Sequence, residues 1–219
     1  MFKQLFSWWK EDIILKQALE QSGVALEKAG NMFLYAMDVF LEVTGEEKEI
    51  YEMDKEINTL QVDTRRKILQ HLSINPEQDV TASLVLITTI VDTERIGDYA
   101  KNIVELHPMC GPPLKLEDLR YFREINDIKQ QLKKLIPETT KAFLDADAVA
   151  AKRTTDEYTV ICRKCDNIIG AITCDNSLMV KEAVVCALLF RYLKRVSSHG
   201  RNISTSVVNP FDRLGYKPE

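Results

Sequence analysis

The stretch Arg95-Ile96-Gly97-Asp98-Tyr99-Ala100-Lys101-Asn102-Ile103 returns in altered form one hundred positions later, and this repetition constrains the fold more than any other feature of the chain. Arg95 aligns with Arg195, Asn102 with Asn202 and Ile103 with Ile203. Ile96, Gly97, Ala100 and Lys101 align with Val196, Ser197, Gly200 and Arg201. Upstream, apolar meets apolar at Leu84/Val184, Val85/Val185 and Ile90/Phe190. A unit written twice implies two similar halves that bury apolar faces together.

Apolar residues recur at helical spacing through both halves, and strand-like alternation is nearly absent, so the fold class is all-α. Leu15, Ala18, Leu19, Ala25, Leu26, Ala29, Phe33, Ala36, Met37 and Phe40 outline a first helix over residues 11–43, stopped by Thr44-Gly45. A second spans residues 46–72, before Asn75-Pro76. A third starts near Asp79, a suitable N-cap, and ends before Pro108. The run His107-Pro108-Met109-Cys110-Gly111-Pro112-Pro113 is the strongest punctuation in the chain. It divides residues 1–107 from 115–208, with 108–114 as linker. In the second half, helices are expected over 116–147, with Pro137 as a kink or short break, then 155–173 and 177–208. Residues 209–219 read as a loose tail.

Composition excludes several classes. The 219 residues are 45% hydrophobic and 28% charged, the profile of a chain that folds around a core without disulfides or metal. A net charge of −4, from 29 basic and 33 acidic residues, leaves no basic excess to neutralise a phosphate backbone, so nucleic acid is not an expected partner. No apolar run is long enough to span a bilayer, and residues 1–12 lack the pattern of a secretory signal. Five cysteines without framework spacing read as reduced thiols, which points to a cytoplasmic location.

Absent motifs exclude more. There is no glycine-rich phosphate loop, no HExxH and no GxSxG. His71, His107 and His199 form no His-Asp pair along the sequence, and none follows a Glu at the spacing of di-iron bundles. Cys162-Arg163-Lys164-Cys165 is a single CxxC without the second pair of a closed zinc site, so it reads as two half-buried thiols on a helix. Glu94 and Asp98, four residues apart, share a helix face one turn apart. Hard cations favour such oxygen pairs. Asp54 and Asn58 on the second helix have the same spacing and would complete a cage. By spacing alone, Glu94, Asp98, Lys101 and Glu105 equally describe a solvated stripe. Gly97, inside the helix, suggests close approach by a neighbour.

The stretch Glu94-Arg95-Ile96-Gly97-Asp98-Tyr99-Ala100-Lys101-Asn102-Ile103 resembles the signature helix of PhoU-type proteins, regulators of phosphate uptake. Residues 53–72 resemble the preceding helix of that family, and the duplicated layout covers most of the chain. The resemblance implies two tandem three-helix bundles, six long helices in all. It also implies a metal ion, iron or zinc, held on the bundle surface by an E(D)xxxD pair from each of two helices. Glu94 and Asp98 match one pair. Asp54 matches the first position of the other, and Asn58 stands where a carboxylate is usual. In the second half, Lys194 and Ser198 take the places of Glu94 and Asp98, and Arg163 and Asn167 roughly those of Asp54 and Asn58. That second site is therefore expected to be lost as a metal site, its basic residues suiting an anion or an acidic partner. His199 is the one neutral donor left there and reads as structural.

The function implied is a non-enzymatic regulator that couples phosphate status to a phosphate transporter, and to a sensor kinase, by protein–protein contacts. It is expected to form homo-oligomers. Both tryptophans lie within Met1-Phe2-Lys3-Gln4-Leu5-Phe6-Ser7-Trp8-Trp9-Lys10, which reads as a helix turn packed on the bundle or as a segment for docking and peripheral membrane contact. The alternatives are a metal-dependent phosphoester hydrolase using Glu94, Asp98 and Asp54, or a purely structural helical oligomer.

Overall fold

A computed structural model describes residues 12–41, 48–74, 80–110 and 120–216, with residues 107–110 as backbone alone. Six long helices carry the fold: α1 (Ile13–Phe40), α2 (Glu49–Ile74), α3 (Val80–Cys110), α4 (Phe122–Asp145), α5 (Ala148–Cys174) and α6 (Val180–Val208). A short 3-10 turn, Phe211–Arg213, follows, and no strand occurs among the described residues. The aromatic segment 1–10, the stops at Thr44-Gly45 and Asn75-Pro76, the Asp79 cap and most of the expected linker lie outside the described residues.

Burial follows the apolar spacing. Asp12 caps α1, its Oδ1 accepting from the backbone N–H of Ile14 and Leu15, each at 2.9 Å. All ten apolar positions that outline the first helix in the sequence are buried. On α2 the buried residues are Ile50, Ile57, Thr64, Ile68 and His71, one narrow stripe that suits an outer helix packed on α1 and α3. Helices α1–α3 pack on one another, as do α4–α6. The halves meet along two seams, α3 against α6 and α1 against α4. One continuous core runs through both, from Leu15 and Phe33 to Phe143, Phe190 and Ile203.

Besides the later start of α4, at Phe122 against the expected residue 116, four features differ from the sequence expectation. Helix α3 continues through Pro108 to Cys110, because a proline in a last turn deletes one hydrogen bond without forcing the helix to stop there. Pro137 lies inside α4 with no break in the helix, so of the kink or short break expected there the break is absent. Helix α5 begins seven residues before the expected start, at Ala148, because Asp147 caps it by accepting from Val149 and Ala150 N–H at 3.0 Å. Finally, the tail expected to be loose is tied as far as Tyr216. Asn209 Nδ2 donates to the carbonyls of Arg213 (2.8 Å) and Tyr216 (2.9 Å), and Gly215 N–H donates to Thr205 Oγ1 at 2.8 Å.

Candidate cation site on the first bundle

Asp54 on α2 and Glu94 and Asp98 on α3 come together on the outer face of the first bundle, and the centre of the group is held by a lysine. Lys101 Nζ lies 2.9 Å from Asp54 Oδ2 and 3.0 Å from Asp98 Oδ1. Arg95 flanks the group, with Nη1 at 2.9 Å from Asp98 Oδ2 and Nε at 3.7 Å from Glu94 Oε2. Asn58 Nδ2 donates to Asp54 Oδ2 at 3.0 Å, so Asn58 orients the aspartate and does not offer its amide oxygen there. The α2–α3 approach that permits this is close: a Cβ at Gly97 would stand 3.3 Å from Ile57 Cδ1 and 3.4 Å from Met32 Sδ, in keeping with the expectation from Gly97.

The electrostatics show an anionic site only partly compensated. Burial, aided by the Asp98 and Asp54 charges and opposed by Arg95 and Lys101, raises the Glu94 carboxyl above the usual carboxylate range. Burial works against the charge of Lys101, but its hydrogen bonds to Asp54 and Asp98 outweigh this and hold its pKa above the ordinary lysine value. The oxygen donors have the chemistry a hard cation wants. As the side chains stand, however, no three His, Cys, Asp or Glu among the described residues form a group that could hold a metal ion. The cation among these carboxylates is the chain's own ammonium.

The equivalent face of the second bundle is closed by its own side chains. Lys194 Nζ contacts both oxygens of Asp166, at 2.6 and 2.7 Å. Ser198 Oγ lies 3.6 Å from Cys162 Sγ. The residues facing Lys194 and Ser198 are thus Asp166 and Cys162, one position earlier than the Asn167 and Arg163 aligned by sequence. One residue is 100° of helix rotation, so Arg163 and Asn167 instead line an open groove with Glu124 on α4. Of the CxxC, both Cys162 and Cys165 are buried, and burial pushes the Cys165 thiol up to about 12.

The sequence shows no His-Asp pair, but the fold makes two. His71 Nδ1 lies 3.2 Å from Asp12 Oδ2, joining α2 to the start of α1. His199 Nδ1 lies 2.7 Å from Asp92 Oδ1 across the α3–α6 seam, where Asn202 Nδ2 also donates to Asp92 Oδ1 at 3.2 Å. Tyr99 stacks on the His199 ring, and its hydroxyl accepts from Arg195 Nε at 3.0 Å. These partners are more than fifty residues apart along the chain, so no local spacing could announce them. A further concavity of about 380 Å³ lies between α1 and α4, bounded by Gly30, Leu34, Ile136, Pro137 and Leu144. It holds none of the candidate site residues.

No helix among the described residues is long and apolar enough to cross a membrane. A family model, the PhoU domain, matches residues 25–106, which contain Asp54, Asn58, Glu94 and Asp98. The chain is similar to phosphate-specific transport system accessory protein PhoU homolog 1 of Thermotoga maritima, with 27% identity over 170 residues, covering 74% of this chain and 71% of that protein. Its fold is similar to the crystal structure of PhoU from Pseudomonas aeruginosa, with a TM-score of 0.69, 21% identity, and coverage of 93% of this chain and 97% of that one. Residues 25–106 therefore carry the match to the PhoU domain family, and the six helices as a whole share the PhoU fold of two three-helix bundles.

Proposed function

We propose that this protein is a non-enzymatic accessory of phosphate uptake, acting by contact with a phosphate transporter and with a sensor kinase. The observation that carries the reading is the coincidence of the matched domain with the one exposed-edge carboxylate cluster the sequence singles out, Asp54, Glu94 and Asp98. The T. maritima relative is named for the same transport system. In this reading Asp54, Glu94 and Asp98, with Asn58 beside them, hold a metal ion, iron or zinc, on the first bundle only. When bound, such an ion supplies positive charge between α2 and α3. Asn58 orients Asp54, and Arg95 balances Asp98 and Glu94. In the second bundle the Lys194–Asp166 pair takes the cluster's place. The face so formed acts as a regulator only through a partner that distinguishes two of its states.

The test is genetic and enzymatic together. Deletion of the gene is expected to abolish the dependence of phosphate uptake on external phosphate. Wild type should restore it and Glu94→Ala/Asp98→Ala should not. Uptake that stays regulated in the deletion sinks the reading. Hydrolysis of a phosphoester by the purified protein, lost in the same double variant, transfers support to the hydrolase alternative.

A further inference from the structure

We propose that α2 is the releasable helix of the fold: it undocks from α1 and α3 while the other five helices stay packed, because its interface with α3 buries polar groups that the protein leaves unpaired.

The register of that interface carries the inference. Ile57 meets α3 at Gly97, where a Cβ would stand 3.3 Å from its Cδ1, and Asp54, earlier on α2, pairs with Lys101, later on α3. The two helices are therefore antiparallel, and each step of seven residues, close to two turns, returns to the same face. One step along α2 and back along α3 brings Thr64 level with Ile90 and its neighbour Thr89. A second step brings His71 level with Ser83. All five side chains are buried. Thr64 Oγ1, Thr89 Oγ1, Ser83 Oγ and His71 Nε2 have no hydrogen-bond partner within the protein. Docking α2 strips water from these groups and returns no protein bond for it.

The second bundle supplies the contrast, because α5 packs on α4 and α6 as α2 packs on α1 and α3. No buried side-chain nitrogen or oxygen of α5 is without a partner. Thr154 Oγ1 lies 2.9 Å from Ser204 Oγ on α6, and the Tyr158 hydroxyl lies 3.1 Å from Thr139 Oγ1 on α4. Thr155 Oγ1 donates to the Ala151 carbonyl at 2.8 Å. Apolar anchoring differs in the same sense. Helix α5 buries Ala151, Tyr158, Ile161, Cys165 and Ile172, whereas the buried apolar residues of α2 are Ile50, Ile57 and Ile68. The ties left to α2 are ion pairs, Asp54–Lys101 toward one end, His71–Asp12 at the other, and the exposed Lys28–Glu56. Few buried apolar contacts and unpaired polar groups together are what set a low local opening energy. The rest stays in place because α1 and α3 are each held by the second half as well, on α4 and α6.

Amide hydrogen exchange of the full chain, followed by mass spectrometry in urea below the global transition, reads the opening directly. Peptides from α2 and α5 are compared after correction for their intrinsic exchange rates. The expected result is exchange of α2 at least tenfold faster than that of α5, with a weaker dependence on urea, the mark of an opening smaller than global unfolding. Thr64→Val and Ser83→Ala, made separately, each remove one unpaired hydroxyl at little change of shape. Each is expected to slow α2 at least threefold and to leave α5 unchanged. Circular dichroism checks that both variants are folded, and either one suffices if the other fails. Exchange of α2 and α5 at one rate, with one urea dependence, overturns the proposal. Fast exchange of α2 that neither variant slows overturns it too, because the unpaired hydroxyls are then not its cause.

Discussion

Gly200 and Tyr158 compete for one volume. A Cβ at Gly200 would stand 2.4 Å from Tyr158 Cζ, and the ring is fully buried with no room to retreat. Gly200→Ala is therefore expected to destabilise by about 2 kcal/mol, within the range for overpacking, checked by urea denaturation. Gly97→Ala is expected to change stability by less than about 1 kcal/mol, because the 3.3 Å contact is with the end of Ile57 and the helix gains propensity. The repeat register aligns Gly97 with Ser197 and Ala100 with Gly200, so the two bundles place their smallest residue one turn apart. The substitution pattern of the signature helix thus records which large side chain each bundle must fit. The same scale limits what sequence could say of the site. Glu94 and Asp98 are legible as a pair because both sit on one helix. The role of Lys101 is not, since it depends on Asp54 arriving from another helix. Asp166 and Cys162 were missed for a sharper reason: aligning two helices one residue out of register turns every side chain by 100°.

At the scale of elements, the joint between α4 and α5 shows what the sequence hides. Two residues make it, and Ala146 occupies the left-handed region at φ 52°. Its successor Asp147 sends its N–H back to the Ala142 carbonyl at 2.9 Å and caps α5 with its side chain. Glycine is the usual residue at such a stop, and without one the turn gives no signal, which is why the sequence places the start of α5 near Thr155. The strain is testable. Ala146→Gly relieves a left-handed alanine worth about 1–2 kcal/mol, offset in part by the freedom glycine gains in the unfolded chain. A net stabilisation of about 0.5–1 kcal/mol is expected, read as a rise in the denaturation midpoint with an unchanged slope. The other helices were legible because their apolar stripes are long. The ten buried positions of α1 span seven turns, so a boundary error of two residues leaves the packing face unchanged.

For the whole molecule, the α3–α6 seam matters more than either bundle alone. Asp92, His199 and Asn202 form a polar contact there inside the continuous core, with Tyr99 and Arg195 over it. Asp92→Asn or His199→Gln, each leaving a buried partner poorly satisfied, is expected to cost about 1–3 kcal/mol. The double variant should cost less than the sum, with a coupling of about 0.5–3 kcal/mol in a double-mutant cycle. Costs that simply add would mean that the two side chains do not share their energy. Asp92 lies six residues before Asp98 on the same helix, about 9 Å along its axis. One flank of α3 is therefore gripped by Asp54 through Lys101, and another by His199 of the opposite bundle. A stiff rod clamped at two points cannot tilt at one without tilting at the other. The duplicated halves are thus wired in series: a shift of α3 at the Asp54–Lys101 bridge is mechanically a shift at the His199 contact with the other bundle.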